Sequence, residues 1–370
     1  MNHETAEKPR IHGWTRALLL ALLAVLIVGV GAVLVPRDAG KPQAVPFSES
    51  ARSEALAATE ALLGSATKLE STTPGGAPAS EASGGTGLAD SVTLLTRQAQ
   101  ALLPPSGPAA SPGTTSPAPG SSSPSPTQDR PNRTSFVSAL SASASRRLAD
   151  AAKADGGMAR LLAAVGTSQL LESSRLATIW GLPVPATQAE ATTAPVPPPS
   201  CPALPGTSAT AAPTPGTASA RADLPAAIAA VVSSEQEAIY AYQVALTKLD
   251  AKASATAATW LDRHQELLRG AEAQGRLHCA ATPPREAGYR LPASFAAKPG
   301  AALGSMEASS LTAYADLVAL SEAETRQWAI DGLVDAAKRS QAWGTPVGPF
   351  AGLSIDSAAL PPLPSSTPAP

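Results

Sequence analysis

Glu235, His264, Glu307 and Arg326, all in the C-terminal part of the 370-residue chain, are the groups from which a buried polar site could be built. Glu235 precedes Ile239 by four residues, and Glu307 lies four from both Leu303 and Leu311, so both fall on apolar stripes of helical period. His264 lies between Trp260/Leu261 and Leu267/Leu268, one turn from each pair. Two carboxylates and an imidazole turned inward could hold one transition metal, since three ligands and a water suffice for zinc. The same groups could instead form a buried hydrogen-bonded network, with Arg326 neutralising a carboxylate, because unpaired buried charge is costly. The network is the expectation and the mononuclear metal site is the alternative. A dinuclear carboxylate centre needs two Glu-x-x-His pairs. Only His264 and His278 lie beyond the N-terminal segment, and neither has a Glu three residues earlier.

Cys201 and Cys279 are the only cysteines. In an oxidising compartment they are expected to pair across 78 residues. The chain-entropy argument values that closure at about 4.5 kcal/mol. Two free thiols, or a metal contact shared with the adjacent His278, form the other reading; His278 itself reads as an exposed loop residue. There is no Gly-x-Ser-x-Gly elbow, His-Glu-x-x-His, phosphate-binding loop or dinucleotide fingerprint, so no catalytic residue is assigned and the reading leans against an enzyme. No cofactor is expected beyond the metal of the alternative. The sequon Asn132-Arg133-Thr134 reads as incidental.

The elements that would position these groups are all helical. With 37 prolines, 28 glycines, 4% aromatic and 15% charged residues, the chain cannot fill two large cores. A net charge of −2 argues against a nucleic-acid partner. Ala17 to Val35 contains no charge and would span about 28 Å as a helix, enough for a bilayer core. Lys8, Arg10 and Arg16 precede it, which favours a cytoplasmic 1–16 and an uncleaved anchor at 17–35, with a cleaved signal peptide as the alternative. Everything after it would then be extracytoplasmic, on a single-pass membrane protein with the membrane and a cell-envelope protein as partners. Proline-free windows place ancillary helices in 47–103 and a helix pair in 132–182. Residues 104–131 and 183–222 read as Pro-rich linkers, and 356–370 as a disordered tail.

Residues 223–344 carry four helical patterns. The first begins at Asp223 with Pro225 in its first turn. The second runs from about 253 to a stop at Gly275. The third starts near Leu303, and a Ser321/Glu324 capping box opens the fourth. One long connection separates the second from the third. SSEQEAIYAY (233–242), DRHQELL around His264, the spaced ME, AYADLV, R, L, A and W of 306–343, and PFAGL (349–353) resemble a group of exported bacterial ferritin-like domains of unknown function. The resemblance covers about a third of the chain. It implies an antiparallel four-helix bundle and no established reaction; the missing Glu-x-x-His pairs make its ligand set degenerate. The function expected is therefore a structural or interaction module, the alternative being a mononuclear metal-binding oxidase or sensor that uses Glu235, His264 and Glu307.

Overall fold

The computed structural model describes residues 45–72, 83–104, 132–185, 201 and 223–364. The expected cytoplasmic segment 1–16, the apolar segment 17–35 and most of both linkers lie outside the described residues. Among the described residues there are eight α-helices and no strand, so the fold is all-α. No described helix is long and apolar enough to cross a membrane.

The first four helices are α1 (Phe47–Thr72), α2 (Ser83–Leu102), α3 (Arg133–Ala151) and α4 (Gly156–Ile179). They are rich in alanine, which favours helix but buries little area per residue. Leucines therefore carry their packing: Leu62 and Leu69 of α1 meet Leu95 of α2, Phe136 and Leu140 of α3, and Leu176 of α4. Asn132 is more than a sequon residue, since its side chain accepts from the Ser135 N–H at 2.8 Å and the Ser135 hydroxyl accepts from the Asn132 N–H at 3.0 Å. This reciprocal cap starts α3. Asp155 caps α4 through the Met158 N–H.

The second set is α5 (Leu224–Leu246), α6 (Ala251–Leu277), α7 (Pro299–Leu320) and α8 (Ala323–Ala342). Asp223 and Asp250 cap α5 and α6, each accepting a backbone N–H at 2.8 Å. Three boundaries differ from the sequence expectation. Helix α6 runs through Gly275, and the turn that ends it falls at Cys279, whose φ is +53°. The Ala280 N–H then donates to Gly275 O at 2.9 Å and the Cys279 N–H to Arg276 O at 3.4 Å, a Schellman motif with cysteine where glycine is usual. Helix α7 starts at Pro299, because proline is tolerated in a first turn. The Ser321/Glu324 capping box does not form: Ser321 ends α7 with its hydroxyl on Leu317 O, and α8 begins without a side-chain cap.

Helix α5 packs on α6 and α7, and α7 packs on α8. Helix α4 lies along α7 and α8, so the helices before 185 are joined to the bundle. One continuous core runs from Ala51 and Ala55 through Leu162, Val231 and Leu267 to Leu317 and Leu333. After Gly344 the chain returns across α4, where the Ala351 N–H donates to Ser168 Oγ at 3.1 Å and Gln98 of α2 donates to Pro349 O at 2.8 Å. Within the expected tail 356–370, residues 357–358 form a turn and Ser357 O accepts from Arg97 at 3.1 Å; residues 365–370 lie outside the described residues.

Candidate functional site

Helix α5 places Glu235, α6 places His264 and α7 places Glu307 at one level of the bundle, each only 1% exposed. His264 lies between the two carboxylates. Its Nδ1 is 2.7 Å from Glu235 Oε2 and its Nε2 is 2.8 Å from Glu307 Oε1. This placement favours the protonated imidazole, in which both ring nitrogens donate to the carboxylates. Burial alone pushes the His264 pKa down, but the hydrogen bonds to Glu235 and Glu307 outweigh it and the value is raised.

The remaining carboxylate oxygens are also filled. Tyr314 of α7 donates to Glu235 Oε1 at 2.8 Å. Tyr242 of α5 donates to Glu307 Oε1 at 2.7 Å and accepts from the Trp343 indole N–H at 2.8 Å. Arg339 of α8 donates from Nε to Glu307 Oε2 at 2.9 Å. Burial raises the Glu307 pKa, but Arg339, His264 and Tyr242 together bring it below its ordinary value. Burial, together with the neighbouring carboxylates, raises both tyrosines, which stay neutral donors. Two carboxylates, one imidazolium and one guanidinium make the cluster neutral, and it ties all four helices together.

The neutralising arginine is the one point at which the expected network is wrong. Arg326 is buried but donates to the backbone carbonyls of Val318 and Ala154, away from the cluster. Antiparallel packing accounts for the exchange. Glu307 lies in the first half of α7, so its neighbour across the α7–α8 turn must come from the last half of α8. Arg339 meets that condition, whereas Arg326 sits in the first turn of α8. The stripe Gly332, Ala336, Arg339, Trp343, at spacings of four, three and four, was the available signal. Gly332 is required there by close approach. A Cβ on it would lie 2.1 Å from the Tyr314 ring, the same ring whose hydroxyl reaches Glu235.

As arranged, the three expected ligands do not fit one ion. Nδ1 and Nε2 of His264 face opposite ways, each engaged by a different carboxylate, so the three side chains do not converge on a common point. Among the described residues no group of three or more His, Cys, Asp or Glu side chains is placed to hold a metal. Nor does either of two surface clefts, of about 630 and 230 Å³, have a member of the charged cluster in its lining.

Cys201 and Cys279 are joined by a disulfide with Cα atoms 5.5 Å apart, which attaches residue 201 to the end of α6. His278 is half-buried rather than an exposed loop residue. It ends α6, and its Nε2 is 2.8 Å from Thr325 Oγ1, which in turn donates to Gln274 Oε1 at 2.8 Å. This chain pins the end of α6 to the start of α8.

No curated protein and no solved structure matches the chain. A family model described as a domain of unknown function (DUF4439) matches residues 227–361, a stretch that contains the whole cluster but none of α1–α4.

Proposed function

We propose that this is a membrane-anchored extracytoplasmic protein whose C-terminal ferritin-like bundle serves as a structural or interaction module without a dinuclear metal centre. The apolar stretch 17–35 and its preceding basic residues support the anchor. Short turns within each helix pair and the long 278–298 connection between α6 and α7 support the ferritin-like order. The partners that follow are the bilayer and a protein of the cell envelope.

One observation carries the functional reading: both nitrogens of His264 are occupied by carboxylates. In a metalloprotein that position would present a lone pair to an ion. Here it closes the bundle with a network that joins α5, α6, α7 and α8 in one register.

The test is elemental analysis of the purified full-length chain, paired with His264→Leu. A module gives no stoichiometric transition metal, and His264→Leu remains folded with reduced stability. About one ion per chain, lost on substituting Glu235, His264 or Glu307 and accompanied by a melting temperature that chelation lowers, would overturn the reading in favour of a metal-binding oxidase or sensor. Labelling a residue in 105–131 from outside intact cells tests the topology separately.

A further inference from the structure

The larger cleft lies between α2, α4 and the segment that follows α8. We infer that it binds a small molecule with an apolar body and a protonated amine. Its volume of about 630 Å³ is within the range of small-ligand sites. Leu94 of α2, Leu171 of α4 and Val347 supply the apolar walls.

The polar lining is rich in acceptors and poor in donors. Pro346 and Pro349 have no N–H to offer. The Thr93 hydroxyl donates to Ala89 O at 3.0 Å and the Ser168 hydroxyl to Gly348 O at 2.9 Å, so both protons are used. Arg175 donates Nε and Nη2 to Glu172 at 2.8 and 2.7 Å, and Nη2 also to Gly87 O at 2.8 Å. Gln341 adds an amide able to donate or accept.

Asp90 is different. Its side chain is 74% exposed and its nearest cation, Arg175 Nη1, is 3.8 Å away, beyond hydrogen-bond range. Two carboxylates face one guanidinium across this lining, and the Asp90 carboxylate keeps acceptor capacity at the edge of an apolar hollow. A cationic donor on an apolar body complements both features; a carboxylate ligand would meet two carboxylates against the one guanidinium of Arg175, whose Nη1 is already faced by Asp90 at 3.8 Å.

The site also belongs to the joined chain. Its α2 and α4 walls lie outside residues 227–361, while Gly344–Pro349 lie inside them, so the matching domain alone supplies only one wall. The inference does not depend on whether the buried cluster binds metal.

The experiment titrates full-length protein in detergent with benzylamine, benzoate and benzyl alcohol, followed by calorimetry and saturation-transfer NMR. Benzylamine should bind saturably and benzoate should not. Asp90→Asn should weaken benzylamine by about two- to fivefold, as for the loss of one exposed charge contact. Asp262→Asn, which alters an exposed carboxylate outside the cleft, should leave binding unchanged. The inference is overturned if benzylamine shows no saturable binding up to about 10 mM, the weak end for so small a ligand. It is equally overturned if Asp90→Asn binds as the parent does, or if benzoate binds as well as benzylamine.

Discussion

The two halves of the described molecule bury charge in different ways. In α1–α4 the buried or half-buried arginines Arg52, Arg147 and Arg175 pair locally, with Glu49, Asp150 and Glu172, each one turn apart on its own helix. In α5–α8 the pairs cross between helices, from Glu235 to His264 to Glu307 to Arg339. A pair within one helix forms wherever that helix is placed, so it says nothing about neighbours. The crossing network forms only when four helices share one register. Local pairs therefore let a polar residue survive burial, whereas the network specifies which surfaces must meet.

The largest contrast should come from removing one carboxylate on each side. Glu307→Leu leaves Arg339 and one nitrogen of His264 without their acceptors in a dry core, and should cost about 3–5 kcal/mol. Glu172→Leu leaves Arg175, which is 27% exposed and has Gly87 O and Asp90 nearby, so about 1 kcal/mol is expected. Urea unfolding of both variants measures the gap. Equal losses would show that the crossing network adds no more than a local pair.

Much of this division could be read from the chain. Glu235, His264 and Glu307 stood on apolar stripes in three separate helices, and helical period alone turned them inward. Arg339 was missed because the stripe through Arg326, Ile330 and Leu333 looked equally good on α8. Only the antiparallel pairing of α7 with α8 decides between the two arginines. The start of α7 was placed late because a proline was read as a barrier rather than as a first-turn residue. The packing of α4 on α7 and α8 was legible only as a need, since alanine-rich helices must bury their faces but do not say against what. The return of 345–353 across α4 had no periodic signal, being held by two hydrogen bonds with Ser168 and one from Gln98.

The next effect sharpens the comparison inside the bundle. Gly332→Ala puts a methyl group against the Tyr314 ring, forcing the ring away and weakening its bond to Glu235. Overpacking of this kind costs about 1–3 kcal/mol. Tyr314→Phe removes the hydroxyl alone, for about 1–2 kcal/mol. In the double variant the hydroxyl contribution should largely vanish, because the first change has already displaced it. Simple additivity would mean that Gly332 does not position Tyr314.

Acidity and alkalinity should act on the bundle through opposite partners. The raised His264 value means that its contribution is full below about 6.5 and declines as pH rises through the folded-state pKa. The lowered Glu307 value means that its contribution is full above about 4.5 and declines as pH falls through the folded-state pKa. These two groups together favour the interval between those values, with each decline approaching about 1.4 kcal/mol per pH unit. Chemical unfolding across pH should show both limbs, and His264→Leu should remove the alkaline one. An alkaline limb that survives in His264→Leu would assign it to another group.

The smallest effect is the most diagnostic, because it concerns a residue as buried as Arg339. Arg147 is 2% exposed and Arg339 is 4% exposed, so burial alone treats them alike. Arg147 donates from Nη2 to Asp150 at 3.0 Å, while its Nε and Nη1 have no partner. Asp150 has a second cation in Arg146, whose Nε is 3.3 Å away. Arg147→Met would therefore remove a costly buried guanidinium without stranding the carboxylate, and methionine would keep the packing of the stem. The variant should unfold within about 1 kcal/mol of the parent, on either side. Arg339→Met has no such relief, since the Glu307 oxygen that accepts from Arg339 is given no other donor, and it should fall in the range of Glu307→Leu. If Arg147→Met were as damaging as Arg339→Met, burial of the arginine rather than its reach across helices would set the cost, and the distinction between the two halves would fail.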